Sequence, residues 1–334
     1  MVARAVHRAC EKAGAPAGTF AFLHAGGDRD MAVGQELVSH PAIQAVGFTG
    51  SPGGGMALVR LANARPQPIP VFAEMGSVNP VVVLPSAEEP ALGEKLAGSA
   101  MMSGGQMCTC PGLVFVVKGP QLDALAAGMK AAFSKAVPVV MLSPRVREGY
   151  VRKLHETSHT KGLETLAGVG DQPSAPGPLT GAPTLLRTTS ADFRRDPRLA
   201  EECFGPSAIV VACESVDDLL GALELVQGSL TGTLWANPAD EHAPRALAAL
   251  AARSGRVVVN GVPTGVEVCP AMVHGGPFPA CNRPDTSAVG ALAIRRWCRP
   301  VCYQNTPGSM LPEELQEGNP RRIFRVVDGK RVEG

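Results

Sequence analysis

Short apolar runs bounded by glycine or proline alternate with stretches of helical spacing along most of this chain. That alternation constrains the fold more than any other feature. "TFAFLHA" (19–25) and "AIQAVGF" (42–48) read as strands, separated by a helix over residues 30–39 that Pro41 ends. A Gly-rich turn, a helix through "GMALVRLANA" (55–64) and a third strand, "IPVFAE" (69–74), follow. Next come "NPVVVLP" (79–85), a helix over 88–103, "GLVFVVKG" (112–119) and another helix, then "SAIVVAC" (207–213) and "GRVVVNG" (255–261). The Pro- and Gly-rich segment 170–184 reads as the clearest loop. Strand–helix–strand units at this spacing predict a parallel, doubly wound sheet, and hence an α/β protein. No internal repeat is apparent.

Bulk properties narrow the function classes. At 334 residues the chain exceeds one typical core, so more than one domain is expected. Lys+Arg total 31 against 30 Asp+Glu, which gives no basic footprint for nucleic acid. No apolar run reaches membrane-spanning length, and the first residues, "MVARAVHRACEKAG", read as a surface helix rather than a signal peptide. The nine cysteines are irregularly spaced. Cys108/Cys110 and Cys298/Cys302 are the only close pairs, with no histidine nearby in sequence. The spacing therefore predicts no metal site, and a reducing cytoplasm suits the thiols.

Ligands of open α/β sheets bind beyond the carboxyl ends of the strands. "GFTGSPGGG" (47–55) closes one strand and opens a helix, placing Thr49, Gly50 and Ser51 where backbone N–H groups attract phosphate. Read alone, it is more often only a turn. "AEMGS" (73–77) ends the next strand in Glu74, a position usually solvated but open to catalysis. In "SGGQMCTCPG" (103–112), Cys108 follows a Gly-Gly-Gln turn that can present both a thiol and its own N–H to a carbonyl. A reactive thiol needs a lowered pKa or a neighbouring base. No Cys/His pairing is evident in the sequence, which argues against a hydrolase. Ordinary packing is the expectation for Cys110.

Four segments in order, "GFTGS", "EMGSVNP", "GQMCT" and "EECFGP" (201–206), resemble the signature segments of the aldehyde dehydrogenase superfamily, and the interval from Glu74 to Cys108 matches as well. Within it, Met75-Gly76-Ser77-Val78 differs from the commoner Leu-Gly-Gly-Lys. "GQMCTCPGLVFV", "NGVPTGVEVCPAMVHGGPFPA" (260–280) and "RPVCYQN" (299–305) look like the 2,5-dioxovalerate (α-ketoglutarate semialdehyde) dehydrogenases, with NADP-dependent fatty aldehyde dehydrogenases close by. The resemblance implies that Cys108 attacks an aldehyde and that Glu74 activates the water that hydrolyses the thioester. Thr49, Gly50 and Ser51 would lie at the diphosphate of NADP or NAD, Glu202 at the nicotinamide ribose and Phe204 beside the ring. It also implies a small aldehyde bearing a distant carboxylate as substrate, and a homo-oligomer.

The implied architecture is an aldehyde dehydrogenase-like fold. Residues 1–75 would form part of a doubly wound NAD(P)-binding domain, 76–272 an α/β catalytic domain, and 273–334 a C-terminal segment with an oligomerisation strand. The family's N-terminal segment carries an oxyanion-site asparagine and a cofactor-binding lysine that have no matching positions here. The expectation is accordingly a truncated sequence, poorly soluble and nearly inactive as it stands. Three readings compete: a truncated aldehyde dehydrogenase whose full-length form is the enzyme, a non-catalytic remnant that associates with a full-length subunit through its C-terminal strand, and a thiol-redox protein using Cys108 and Cys110.

Overall fold

The computed structural model describes residues 1–25, 30–168 and 179–332. Two units make up the chain, residues 1–293 and 294–334. Most of the loop expected at 170–184 lies outside the described residues.

The first unit opens with α1 (Val2–Lys12), α2 (Asp30–Ser39), β1 (Val46–Thr49), α3 (Pro52–Asn63) and β2 (Val71–Glu74). β1 and β2 pair in parallel, Val46 opposite Val71 and Thr49 opposite Glu74. Val38, Ala62, Val71 and Met75 form the apolar cluster beneath them. The expected strand 19–25 is not one. No strand among the described residues pairs with it, and a strand without a hydrogen-bonded neighbour leaves its backbone groups to water. Phe22 and Leu23 in it are exposed.

The larger sheet begins at β3 (Val81–Val83), followed by α4 (Leu92–Met101), β4 (Leu113–Val117), α5 (Pro120–Lys135), β5 (Val139–Val140) and α6 (Pro144–Ser158). Then come β6 (Glu164–Ala167), β7 (Thr180–Gly181), β8 (Thr184–Thr189), α7 (Ser190–Arg195), β9 (Ser207–Cys213) and α8 (Val216–Leu223). β10 (Ser229–Trp235), α9 (Ala243–Ala251) and β11 (Ser254–Val259) complete the unit's regular elements. The seven strands run in the order β11-β10-β3-β4-β9-β8-β6. All pairs are parallel except β6–β8, which is antiparallel and irregular between Thr165 and Ala167. A mostly parallel sheet with helices between its strands confirms the α/β expectation.

Such a sheet is covered on both faces, so its strands bury every residue and read as continuous apolar runs. β3 and β9 do both. Alternate residues of β4 divide between two cores. Phe115 packs on one side with Phe193, Val211 and Leu234, and Val114 and Val116 on the other with Leu96, Leu125 and Met129. The rings of Phe115 and Phe193 meet edge-to-face, 5.4 Å between centroids. Serine caps mark several helix starts: Ser51, Ser143 and Ser215 each accept a first-turn N–H.

In the second unit, short 3-10 turns at Gly308–Met310 and Glu313–Leu315 precede the antiparallel hairpin β12 (Arg325–Val327) and β13 (Lys330–Val332).

Truncating Phe115 removes a fully buried ring from the centre of the sheet. Phe115→Ala is expected to cost about 3–5 kcal/mol, read as a lowered urea midpoint with an unchanged slope.

Candidate active site

β1 and β2 end side by side, and their carboxyl ends open onto a cleft. Thr49, Gly50, Ser51, Glu74, Cys108, Glu202 and Phe204 all line it. The structure thus brings every residue singled out in the sequence into one place.

The cleft's first wall is the start of α3. Gly50 N–H donates to the Glu74 carbonyl at 3.0 Å and so continues the β1–β2 ladder. Ser51 Oγ accepts from Gly54 N–H at 3.3 Å, so its hydroxyl caps the helix. The N-terminal turn of a helix carries partial positive charge and unfilled N–H groups, which suit an anion.

The second wall is the loop after α4. Ser103, Gly104 and Gly105 all have positive φ, of 52°, 70° and 65°. At Gly105 a side chain fails twice over, because a Cβ there would also lie 2.2 Å from the Gly205 carbonyl. That close approach presses the Cys108 loop against the loop carrying Glu202 and Phe204. Asn79 anchors the same loop from below. Its amide donates to the Cys108 and Cys110 carbonyls, each at 2.9 Å, while its oxygen accepts from Ser77 Oγ at 2.7 Å and from Thr231. Asn79 is buried, so these bonds are not exchangeable for water.

The third participant, His274, is in the segment 260–280 but was not among the residues singled out there. His274 lies between the other two, its Nε2 3.6 Å from Cys108 Sγ and its Nδ1 2.9 Å from Glu74 Oε2. This corrects the expectation that Cys108 has no histidine partner. Both His274 and Glu74 are buried. The Cys108 sulfur and the Glu74 carboxylate together raise the His274 pKa from 6.5 to about 9, against the effect of burial. At neutral pH the ring is an imidazolium that donates to the carboxylate and faces the sulfur. Such a neighbour stabilises negative charge on a thiol.

His274 is held by the segment that follows it. Its N–H donates to Ser287 Oγ at 2.9 Å, and its carbonyl accepts from Ala288 N–H at 2.7 Å. Residues 280–282 then add to the edge of β2: Met75 N–H donates to the Ala280 carbonyl and Asn282 N–H to that of Ala73. The Asn282 side chain repeats the pattern, accepting from Ala73 N–H at 2.7 Å and donating to the Val71 carbonyl at 2.9 Å. The strand that ends in Glu74 and the segment bearing His274 are thereby locked in register. Asn79 was legible only as a member of "EMGSVNP", and Asn282 not at all.

Glu202 stands across from this group, close enough to Gly76 that a Cβ there would meet its Oε2 at 3.0 Å. Burial raises the Glu202 pKa to about 7, opposed by a hydrogen bond from the Ser77 backbone. Cys110, by contrast, is half-buried, its Sγ 3.6 Å from the Met102 carbonyl. Burial pushes that thiol up to about 11. Cys203 is raised to about 11 for the same reason.

A thiol, an imidazolium and a carboxylate gathered within 4.8 Å of one another, at the carboxyl end of a parallel sheet and beside an anion-ready helix start, define a thiol-centred α/β site. Residues 1–277 match the aldehyde dehydrogenase family, and the chain belongs to that family. It is 45% identical over 334 residues to alpha-ketoglutaric semialdehyde dehydrogenase 2 of Azospirillum brasilense, covering 99% of this chain and 62% of the relative. It is 44% identical over 336 residues to alpha-ketoglutaric semialdehyde dehydrogenase of Acinetobacter baylyi, covering 98% and 62%. The chain therefore spans less than two thirds of the length of these relatives. Among solved structures, it resembles gamma-glutamyl-gamma-aminobutyraldehyde dehydrogenase of Burkholderia cenocepacia, with TM-score 0.71 and 22% identity, covering 89% of this chain and 58% of that one. An NAD-dependent aldehyde dehydrogenase of Sinorhizobium meliloti gives TM-score 0.71 and 22% identity, covering 90% and 59%. Both likenesses confirm the fold.

Three outcomes follow from the geometry. Cys108 is expected to react with iodoacetamide ahead of the exposed Cys298 and Cys302, as mapped by mass spectrometry at short exposure. His274→Ala should slow Cys108 alone by about 10–100-fold, the worth of one charge-assisted contact of about 1.5–3 kcal/mol. Asn79→Ala should lower unfolding stability by about 2–4 kcal/mol, because two buried carbonyls lose their donor.

Proposed function

We propose that this site oxidises an aldehyde to a carboxylic acid with NAD or NADP, and that the aldehyde is 2,5-dioxovalerate, giving 2-oxoglutarate. The observation that carries the reading is the approach of Cys108, His274 and Glu74 within the cleft, where ligand atoms of all three lie within 4.8 Å of one another. The names of the two relatives at 45% and 44% identity support the choice of substrate.

The residues present fit a dinucleotide. Thr49, Gly50 and Ser51 frame the helix start that would meet the diphosphate, and the Glu202 carboxyl, with its pKa near 7, would accept a hydrogen bond from a ribose hydroxyl. Phe204 would flank the ring. Bound there, the nicotinamide supplies the acceptor for the hydride. Residues 1–75 would serve this cofactor, residues 76–272 would carry the thiol, and the segment 273–334, with its exposed β12–β13 hairpin, would join a second copy of the chain.

The chain's own residues do the rest. Cys108 Sγ bonds to the aldehyde carbon, and the carbonyl oxygen takes up the developing charge, held by the Cys108 N–H. Loss of hydride from that carbon leaves a thioester on Cys108. Glu74, its carboxylate held by the His274 ring, takes a proton from water as the water attacks the thioester. The C–S bond breaks, the acid leaves, and the proton returns to the sulfur. Asn79 takes no part in the bond changes but, through the carbonyls of Cys108 and Cys110, holds the loop that carries the thiol.

The test is stopped-flow formation of NAD(P)H with 2,5-dioxovalerate. Cys108→Ser is expected to abolish it. Glu74→Gln is expected to release about one equivalent quickly and then turn over about 10²–10⁴-fold more slowly, because general-base help is lost after the thioester forms. A Cys108→Ser chain that keeps its rate would overturn the reading. A preference for long aliphatic aldehydes would overturn the substrate choice alone.

A further inference from the structure

We propose that Cys108 and His274 together form a Zn2+ site, with Glu74 as the carboxylate behind the histidine, and that zinc there reversibly blocks the thiol. The proposal rests on the reading of Cys108 as the reactive thiol of the cleft.

Three observations point to a metal rather than only to a proton. Zinc holds thiolate sulfur at about 2.3 Å and imidazole nitrogen at about 2.0–2.1 Å in a tetrahedron. Those lengths place the two ligand atoms about 3.6 Å apart, and Cys108 Sγ and His274 Nε2 are 3.6 Å apart already. The separation of the pair is therefore already that of two ligands on one zinc ion. A zinc-bound histidine is normally oriented by a carboxylate on its other nitrogen, and Glu74 Oε2 occupies that place, 2.9 Å from Nδ1. Finally, Cys108 lines the cleft, so the remaining coordination positions open toward water or a small anion. One sulfur and one nitrogen favour zinc over magnesium or calcium, which take oxygen ligands.

The ligands are separated by 166 residues, so no spacing in the sequence announces them. They are brought together by the bonds that fix each segment: Asn79 under the Cys108 loop and Ser287 on the His274 backbone. Zinc would displace the proton held between sulfur and ring and occupy the space a carbonyl carbon must enter.

The 334-residue chain, stripped with a chelator, is titrated with Zn2+ against a chromophoric chelator, and with Co2+ as a spectroscopic probe. The Cys298→Ser/Cys302→Ser background removes the exposed thiols. One Co2+ per chain is expected to bind with a near-ultraviolet thiolate-to-metal band. Zn2+ should protect Cys108 from iodoacetamide until a chelator is added. Cys108→Ser and His274→Ala should each abolish the band, and Glu74→Gln should weaken binding about 10–100-fold. The unsubstituted chain already decides the matter if a variant fails to fold: no cobalt band, together with a Cys108 alkylation rate unchanged by Zn2+, overturns the proposal. If metal-free Cys108 reacts no faster than Cys298 does in the unsubstituted chain, the thiol reading falls, while a cobalt band that vanishes in Cys108→Ser still upholds the metal site.

Discussion

Everything distinctive in this structure depends on one imidazole. His274 bridges the Cys108 sulfur and the Glu74 carboxylate, and these belong to three separate segments: a loop after a helix, a strand end, and a Gly-rich stretch near the end of the first unit. Each segment spends hydrogen bonds to hold its residue in place. Asn79 grips the cysteine loop from within the sheet, and Asn282 repeats the hydrogen-bonding pattern of a strand along the edge of β2. Amides that satisfy two or three backbone groups at once are costly to disturb, so the geometry they impose is stiff.

The charge balance follows from the same contacts. A histidine whose pKa rises from 6.5 to about 9 on folding binds its proton more tightly in the native state. Its stabilising contribution is full below pH 6.5 and disappears as the pH rises through about 9. The pKa of Glu202, on the facing loop, is raised as well, but there burial favours the neutral form, so the group sits near half-protonation at neutral pH. The cleft therefore sets an imidazolium–carboxylate pair against a carboxyl group of nearly neutral affinity.

Much of this was legible in the residues, and the failures have physical causes. β9 was read to the residue because a strand buried on both faces is an unbroken apolar run. β10, "SLTGTLW", is buried just as fully but was missed, since its serine and threonines break the run while still suiting a strand. The run at 19–25 has the composition of a strand and no partner, and composition cannot supply one. In the site, Cys108, Glu74, Glu202 and the turn at 49–51 came from ordered segments and reach one cleft. His274 could not be found that way. It lies 200 positions from Glu74, inside a segment whose pattern carries only a family likeness, and only tertiary pairing along β2 reveals it.

The relay is tested most directly by the protonation of that ring. With His274 labelled in its imidazole nitrogens, a nuclear magnetic resonance titration of the folded chain should show both nitrogens protonated at pH 7 and a midpoint near 9. The midpoint should fall when Glu74 is replaced by glutamine. A ring that titrates near 6.5, unaffected by Glu74, would mean that the histidine is not engaged by the carboxylate and the thiol, and the account of the site would fail.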